Sequence, residues 1–189
     1  VHRARTRLVS LENTCNRGGG SCYQMSEMQA IRNLCDANGL SLHLDGARLM
    51  NAIVAQNEEP LTYGKLFHSI SLCLSKGLGA PVGSVLLGSK EFIKEARRVR
   101  KVMGGGMRQA GFLAAAASYA LENQVERLSI DHAHAKKLGM VLSELNWVDS
   151  VLPVETNIVI FAIKMPATVK QVSDYLLQYN IRVSAMSST

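Results

Sequence analysis

The clearest pattern in the chain runs from Leu40 to Asp45, where Leu40, Leu42 and Leu44 alternate with Ser41, His43 and Asp45. A period of two is that of a half-buried strand, and this one ends on a carboxylate. Just before it, Met28, Ile31, Leu34 and Cys35 recur at helical spacing across residues 26–38, with Ser26-x-x-Gln29 as a capping-box start and Asn38-Gly39 as a stop. Two more strands are expected, Ser69 to Leu74 and Ser84 to Leu87, on either side of a turn containing Gly79, Pro81 and Gly83, so that they lie side by side. From Ser89 the period becomes helical, predicting helices over 89–103, 107–124 and 125–145. In the first of these Phe92, Ile93, Ala96, Val99 and Val102 fall on one face, which is expected to turn inward. The tail reads strand (157–163), helix (168–179) and strand (181–185), a small α/β unit of its own. The class is therefore α/β, with a boundary near residue 146 dividing units 1–146 and 147–189.

Composition removes several functions from consideration. The chain has 189 residues, 47% hydrophobic and 19% charged, enough for a sizeable core. Its longest apolar runs, such as Ile158 to Ile163, fall far short of the roughly 18–20 residues that span a bilayer, so no membrane role is expected. Cys15, Cys22, Cys35 and Cys73 lack C-x-x-C spacing and have no histidine at ligand offsets, which disfavours both a metal site and a disulfide framework and makes a reducing, cytoplasmic setting the expectation. The net charge of +6 directs attention to Arg97, Arg98, Arg100 and Lys101 as a nucleic-acid surface. No aromatic residues interleave with them, and a solvated helix face or subunit contact is the simpler account.

Three places carry chemistry. Lys76 follows an apolar strand and precedes Gly77-Leu78-Gly79-Ala80-Pro81-Val82-Gly83. A lysine held there, its pKa lowered by burial, suits Schiff-base formation, although the local pattern alone favours a structural lysine at a turn. Asp45-Gly46-Ala47-Arg48 stands at the carboxyl end of a strand, the ligand edge of α/β sheets; an aspartate there can keep a pyridine nitrogen protonated, although Asp-Gly after a strand, taken alone, is usually a turn. Gly104-Gly105-Gly106-Met107-Arg108 sets an arginine where a helix is expected to start, a place for an anion or simply a loop. Their order along the chain, ring-nitrogen acid, then lysine, then anion-binding arginine, is that of fold-type I pyridoxal-phosphate (PLP) enzymes.

Four stretches sharpen this: Arg5 to Thr14 (RTRLVSLENT), Leu42 to Arg48 (LHLDGAR), Cys73 to Ser84 (CLSKGLGAPVGS) and Gly104 to Gln109 (GGGMRQ). Together they closely resemble low-specificity L-threonine aldolases, and the resemblance covers nearly the whole chain. It implies a partial large PLP-binding domain of fold type I, like that of aspartate aminotransferase, followed by a truncated small α/β domain. It also implies cleavage of L-threonine or L-allo-threonine to glycine and acetaldehyde by a homo-oligomer, dimer or tetramer. Lys76 would bond the cofactor, Asp45 would pair with its ring nitrogen, Arg48 would meet its phenolic oxygen or the substrate carboxylate, and Arg108 its phosphate. His2 falls where the family has a histidine near the substrate hydroxyl, and alternation puts His43 on the face of Asp45. The family's glycine-threonine phosphate turn, ring-stacking histidine and carboxylate-clamping arginine have no counterpart here, and Cys15 stands where a histidine is frequent. The chain therefore reads as a fragment, expected to be inactive alone. Another fold-type I lyase, or an inactive product that acts as a subunit partner, are the competing readings.

Overall fold

The computed structural model describes residues 4–186. Four strands, β1 (Leu8–Glu12), β2 (Ser41–Gly46), β3 (Ser69–Cys73) and β4 (Ser84–Gly88), form one sheet in that order. The first three run parallel, and β4 returns antiparallel beside β3. Parallel neighbours require crossovers. Helix α1 (Met25–Ala37) joins β1 to β2, while α2 (Leu49–Gln56) and α3 (Pro60–Leu66) join β2 to β3.

Local chemistry sets these boundaries. The backbone N–H of Gln24 donates to the Glu27 carboxylate at 2.9 Å, so α1 is capped by the Gln24 and Glu27 pair and begins ahead of the expected Ser26 start. It stops where Gly39 turns to φ +61°, as the Asn38-Gly39 pair implied. Helix α2 ends on the left-handed Asn57, and α3 opens on Pro60, whose missing N–H costs nothing in the first turn.

Alternation then decides what each face of the sheet meets. Leu42 and Leu44 of β2 are fully buried, and Ile70 and Leu72 of β3 nearly so. They pack with Met28, Cys35, Tyr63 and Leu128 into the main core. The opposite face presents Ser10 and Glu12, His43 and Asp45, and Ser69, Ser71 and Cys73, all exposed or half-buried. In the parallel register Glu12 stands opposite Asp45, and Asp45 opposite Ser71. One face is therefore core and the other is a polar floor.

Helix α4 (Lys90–Val102) is capped by Ser89, whose hydroxyl oxygen accepts from the Phe92 N–H at 3.2 Å. Its apolar face does not turn inward as expected. No residue of α4 is buried, and Val99 and Val102 are 54% and 80% exposed, because among the described residues this helix packs chiefly on the edge strand β4. Helices α5 (Gly111–Asn123) and α6 (Leu128–Ser143) follow. Strands β5 (Val148–Val151) and β6 (Phe161–Ile163) form a separate antiparallel pair, ahead of helix α7 (Val169–Leu177). The strand expected over 181–185 is not one, since among the described residues no neighbouring strand offers it a ladder. The tail is tied back through Thr156, fully buried, whose hydroxyl donates to the Gly20 carbonyl at 2.7 Å, and through the Cys22 N–H, which donates to Glu155 at 3.0 Å.

Candidate active site

Because β2 and β3 are parallel, the turns that follow them emerge at the same edge of the sheet, and three of the residues singled out from sequence gather there. Asp45 is the penultimate residue of β2 and points to the polar side. One of its carboxylate oxygens accepts the Ala47 N–H at 3.0 Å, an Asx-type turn that leaves the other without a donor among the described residues. Arg48, half-buried, is the N-cap of α2 and makes no side-chain hydrogen bond or ion pair among the described residues. Lys76 leaves β3 at the same edge with its side chain exposed. Its backbone is fixed by a tight turn in which Gly79 N–H donates to the Lys76 carbonyl at 2.8 Å and Ala80 N–H to the Leu74 carbonyl at 3.0 Å. Leu74 N–H donates to Gly83 at 3.0 Å, so both flanks of the lysine turn are pinned.

Cys73 reports that these groups share one electrostatic environment. Partial burial raises its thiol pKa, but the hydrogen bond with Ser75 and the positive charges of Lys76 and Arg48 outweigh that, and the thiol ionises below its ordinary value. Cys22 shows the contrary case. Burial, reinforced by the carboxylates of Glu155 and Glu58, pushes its thiol up to about 12.

The floor beneath is ordered by two histidines. His43 shares the face of Asp45, as alternation required, and its Nδ1 lies 2.8 Å from the Ser69 hydroxyl. His68 Nδ1 accepts the Leu42 N–H at 2.9 Å while its own backbone N–H donates to the Leu42 carbonyl, which braces β2 against the start of β3. Arg48 also lines a cleft of about 740 Å³, together with Asn16, Ile160, Phe161 and Arg182.

Arg108 is tied to Asp45, Arg48 and Lys76 by no bond of its side chain, and it lies exposed in the α4–α5 connection. The expected helix start at Met107 is displaced to Gly111, since Gln109 takes a left-handed φ of +49° that interrupts a helix. His2 lies outside the described residues. Sequence reading also passed over Asn51, Arg127 and His132, which stand behind the lysine turn. The available signal was Asn51 itself, a polar residue three positions after Arg48 on a helix otherwise apolar up to its last residue, Gln56.

Comparison with known proteins follows the same lines. The family model for β-eliminating lyases matches residues 1–166. The chain belongs to the β-eliminating lyase family. Among family relatives, low-specificity L-threonine aldolase 1 of Arabidopsis thaliana is 44% identical over 155 residues, covering 82% of this chain and 43% of that protein. The low specificity L-threonine aldolase of Escherichia coli K12 is 40% identical over 185 residues, 98% of this chain and 54% of its own length. The chain thus spans about half the length of the curated relatives it matches. Among solved structures, an Exiguobacterium protein assigned as an aromatic amino acid β-eliminating lyase/threonine aldolase superposes with a TM-score of 0.80 at 27% identity, over 89% of this chain and 48% of that one. The histidinol-phosphate aminotransferase of Clostridium acetobutylicum, at 14% identity and a TM-score of 0.67, shares the fold. The fold is that of fold-type I PLP enzymes, as the order of motifs implied.

The residues at this β-eliminating lyase edge suit that cofactor. An exposed amine can bond its aldehyde carbon, a carboxylate oxygen with no donor among the described residues can accept a hydrogen bond from its protonated ring nitrogen, and a guanidinium with no partner among the described residues can meet an oxyanion. No helix of the described residues is long and apolar enough to cross a membrane.

Proposed function

We propose that the protein carrying this chain cleaves β-hydroxy-α-amino acids, L-threonine or L-allo-threonine, to glycine and acetaldehyde with the help of PLP. The observation that carries this reading is the meeting of Asp45, Arg48 and Lys76 at one edge of parallel β2 and β3, in a chain 40% to 44% identical to proteins named low-specificity L-threonine aldolase. When bound, PLP supplies an electron sink for the pair released at Cα as the Cα–Cβ bond breaks. Lys76 would hold its aldehyde carbon. The second oxygen of Asp45 would hold the proton of its ring nitrogen, so that the ring can accept that pair. Arg48, half-buried, would orient the substrate through its carboxylate or meet the phenolic oxygen of the cofactor. Arg108 would serve the phosphate, and His2 would take the proton of the β-hydroxyl. We further propose a homo-oligomer, dimer or tetramer, acting in the cytoplasm, a setting that suits four cysteines all present as free thiols.

The test loads the natural full-length protein with PLP, reduces it with borohydride and maps the pyridoxyl group by peptide mass. The label is expected on Lys76, with glycine and acetaldehyde formed from threonine. A label elsewhere would remove Lys76 from the mechanism, and keto-acid products without glycine would point to an eliminating lyase instead.

A further inference from the structure

The turns bearing Arg48 and Lys76 are separate in sequence, yet one buried side-chain pair stands behind both. Asn51, in the first turn of α2 directly after Arg48, is 3% exposed, and His132 of α6 is 6% exposed. His132 Nε2 lies 3.0 Å from Asn51 Oδ1 across the interface between the two helices. The same two helices close around Gly77, the residue after Lys76. A Cβ at Gly77 would lie 2.7 Å from Leu128 Cδ2 of α6 and 3.7 Å from the Asn51 amide nitrogen of α2. At the N-terminal end of α6, Arg127 Nη2 donates to the Gly77 carbonyl at 3.4 Å, while the same guanidinium pairs with Asp131. Gly77 therefore sits in a slot whose walls are α2 and α6, and the Asn51–His132 bond holds those walls at a fixed separation.

From this we infer that Asn51 and His132 are positioning residues, a buried clamp that sets the Lys76 turn against the Arg48 turn. A polar pair buried this deeply has little solvent access through which to replace its hydrogen bond, so loss of one member leaves the other poorly satisfied and the helices free to part. Any parting moves Arg48, the N-cap of α2, relative to Gly77 and hence to Lys76. The clamp touches neither cofactor nor substrate and acts only through these two turns. The inference rests on the reading that Lys76 carries PLP, and it has a readout in the cofactor-free protein as well.

The experiment compares His132→Gln, which can return an amide N–H near the position of imidazole Nε2, with His132→Asn, whose shorter side chain cannot, and adds Asn51→Leu, which keeps volume and removes the amide. In the cofactor-free full-length protein, hydrogen exchange at the bonded amides of Gly79 and Ala80 should quicken by about tenfold in His132→Asn and Asn51→Leu, and should stay near the parent rate in His132→Gln. With PLP bound, the pH midpoint of the visible band of the lysine-held cofactor should shift in the same two variants and not in His132→Gln. Equal exchange and equal midpoints in His132→Gln and His132→Asn would overturn the inference. So would failure of all three variants to fold, which would make the pair a determinant of folding alone. Should borohydride reduction label another lysine, the function reading fails, and the exchange experiment still decides whether the clamp exists.

Discussion

Replacing Gly46 with alanine strikes a point where β2 and β3 leave no room for a side chain. A Cβ built there would lie 2.7 Å from the backbone oxygen of Ser71, 3.1 Å from Leu49 Cβ and 3.4 Å from Ile70 Cγ2. The first contact is to backbone, in a strand held on both sides by β2 and β4, so no side chain can swing away to relieve it. Ordinary contact begins near 3.4 Å, and the two strands would have to part by several tenths of an ångström beside the Asp45–Ser71 register. Overpacking of this kind costs about 2 kcal/mol, a factor of about 30 in the unfolding equilibrium. A displacement beside Asp45 should also lower aldol cleavage by about tenfold. The companion substitution Gly64→Ala lies in α3, where nothing approaches within 4 Å of the new methyl group, and it should be neutral or stabilising by about 0.5–1 kcal/mol from helix propensity. Urea unfolding of both variants in the full-length protein, followed by circular dichroism, measures the difference. A Gly46→Ala variant as stable as the parent would refute the close approach on which this reasoning depends.

Three further outcomes are expected. Asp45→Asn should leave PLP binding largely intact and lower glycine formation by about 10² or more, since an amide cannot keep the ring nitrogen protonated; near-normal turnover would exclude Asp45 from the chemistry. At pH 8 iodoacetamide should modify Cys73 at least about tenfold faster than Cys22, because Lys76 and Arg48 favour the thiolate at the first whereas burial and two carboxylates suppress it at the second; peptide mass spectrometry with equal rates would contradict this ordering. Burial, aided by the Lys136 charge and opposed by Asp131, keeps His132 neutral in the folded state below the ordinary value of 6.5. The unfolded chain therefore takes up that proton first, and stability is lost as pH falls from 6.5 toward the folded value; His132→Gln should flatten the slope of unfolding free energy over that range, and an unchanged slope would count against it.

The sequence made legible those elements whose pattern answers to a single neighbour. In β2, alternation put Leu42 and Leu44 in the core and Asp45 on the other face, because a core lies on one side only. Helix α2 was missed for the converse reason: buried Leu49, Asn51, Ala52 and Ile53 leave little polar face to show a period. Strand β1 was missed as a strand, though its residues were noted as a motif, since exposed Leu8 breaks the alternation at its start. The short β5 is too brief for a period to register. The inward face of α4 and the strand over 181–185 were misplaced because both concern partners, and a chain does not state its partners locally. At the candidate site, the motifs drew attention to Asp45, Arg48 and Lys76, whereas the Asn51–His132 bond joins residues too far apart in sequence for any local pattern to record.

Asp45 lies on β2 and Lys76 follows β3, so their relative placement is set by one step of a parallel sheet, about 4.8 Å between strands, together with the short run from Cys73 to Lys76, and owes little to distant packing. This limits how such a chain can vary in length. An insertion in the connection between α4 and α5 leaves that step untouched. A one-residue slip of β3 against β2, by contrast, would send Ser71 and Cys73 to the core and drive Ile70 and Leu72 onto the polar floor beside Asp45. Length in the loop over 57–59 and in the 67–68 link is therefore expected to be nearly invariant across active descendants of this chain, however freely its outer connections drift.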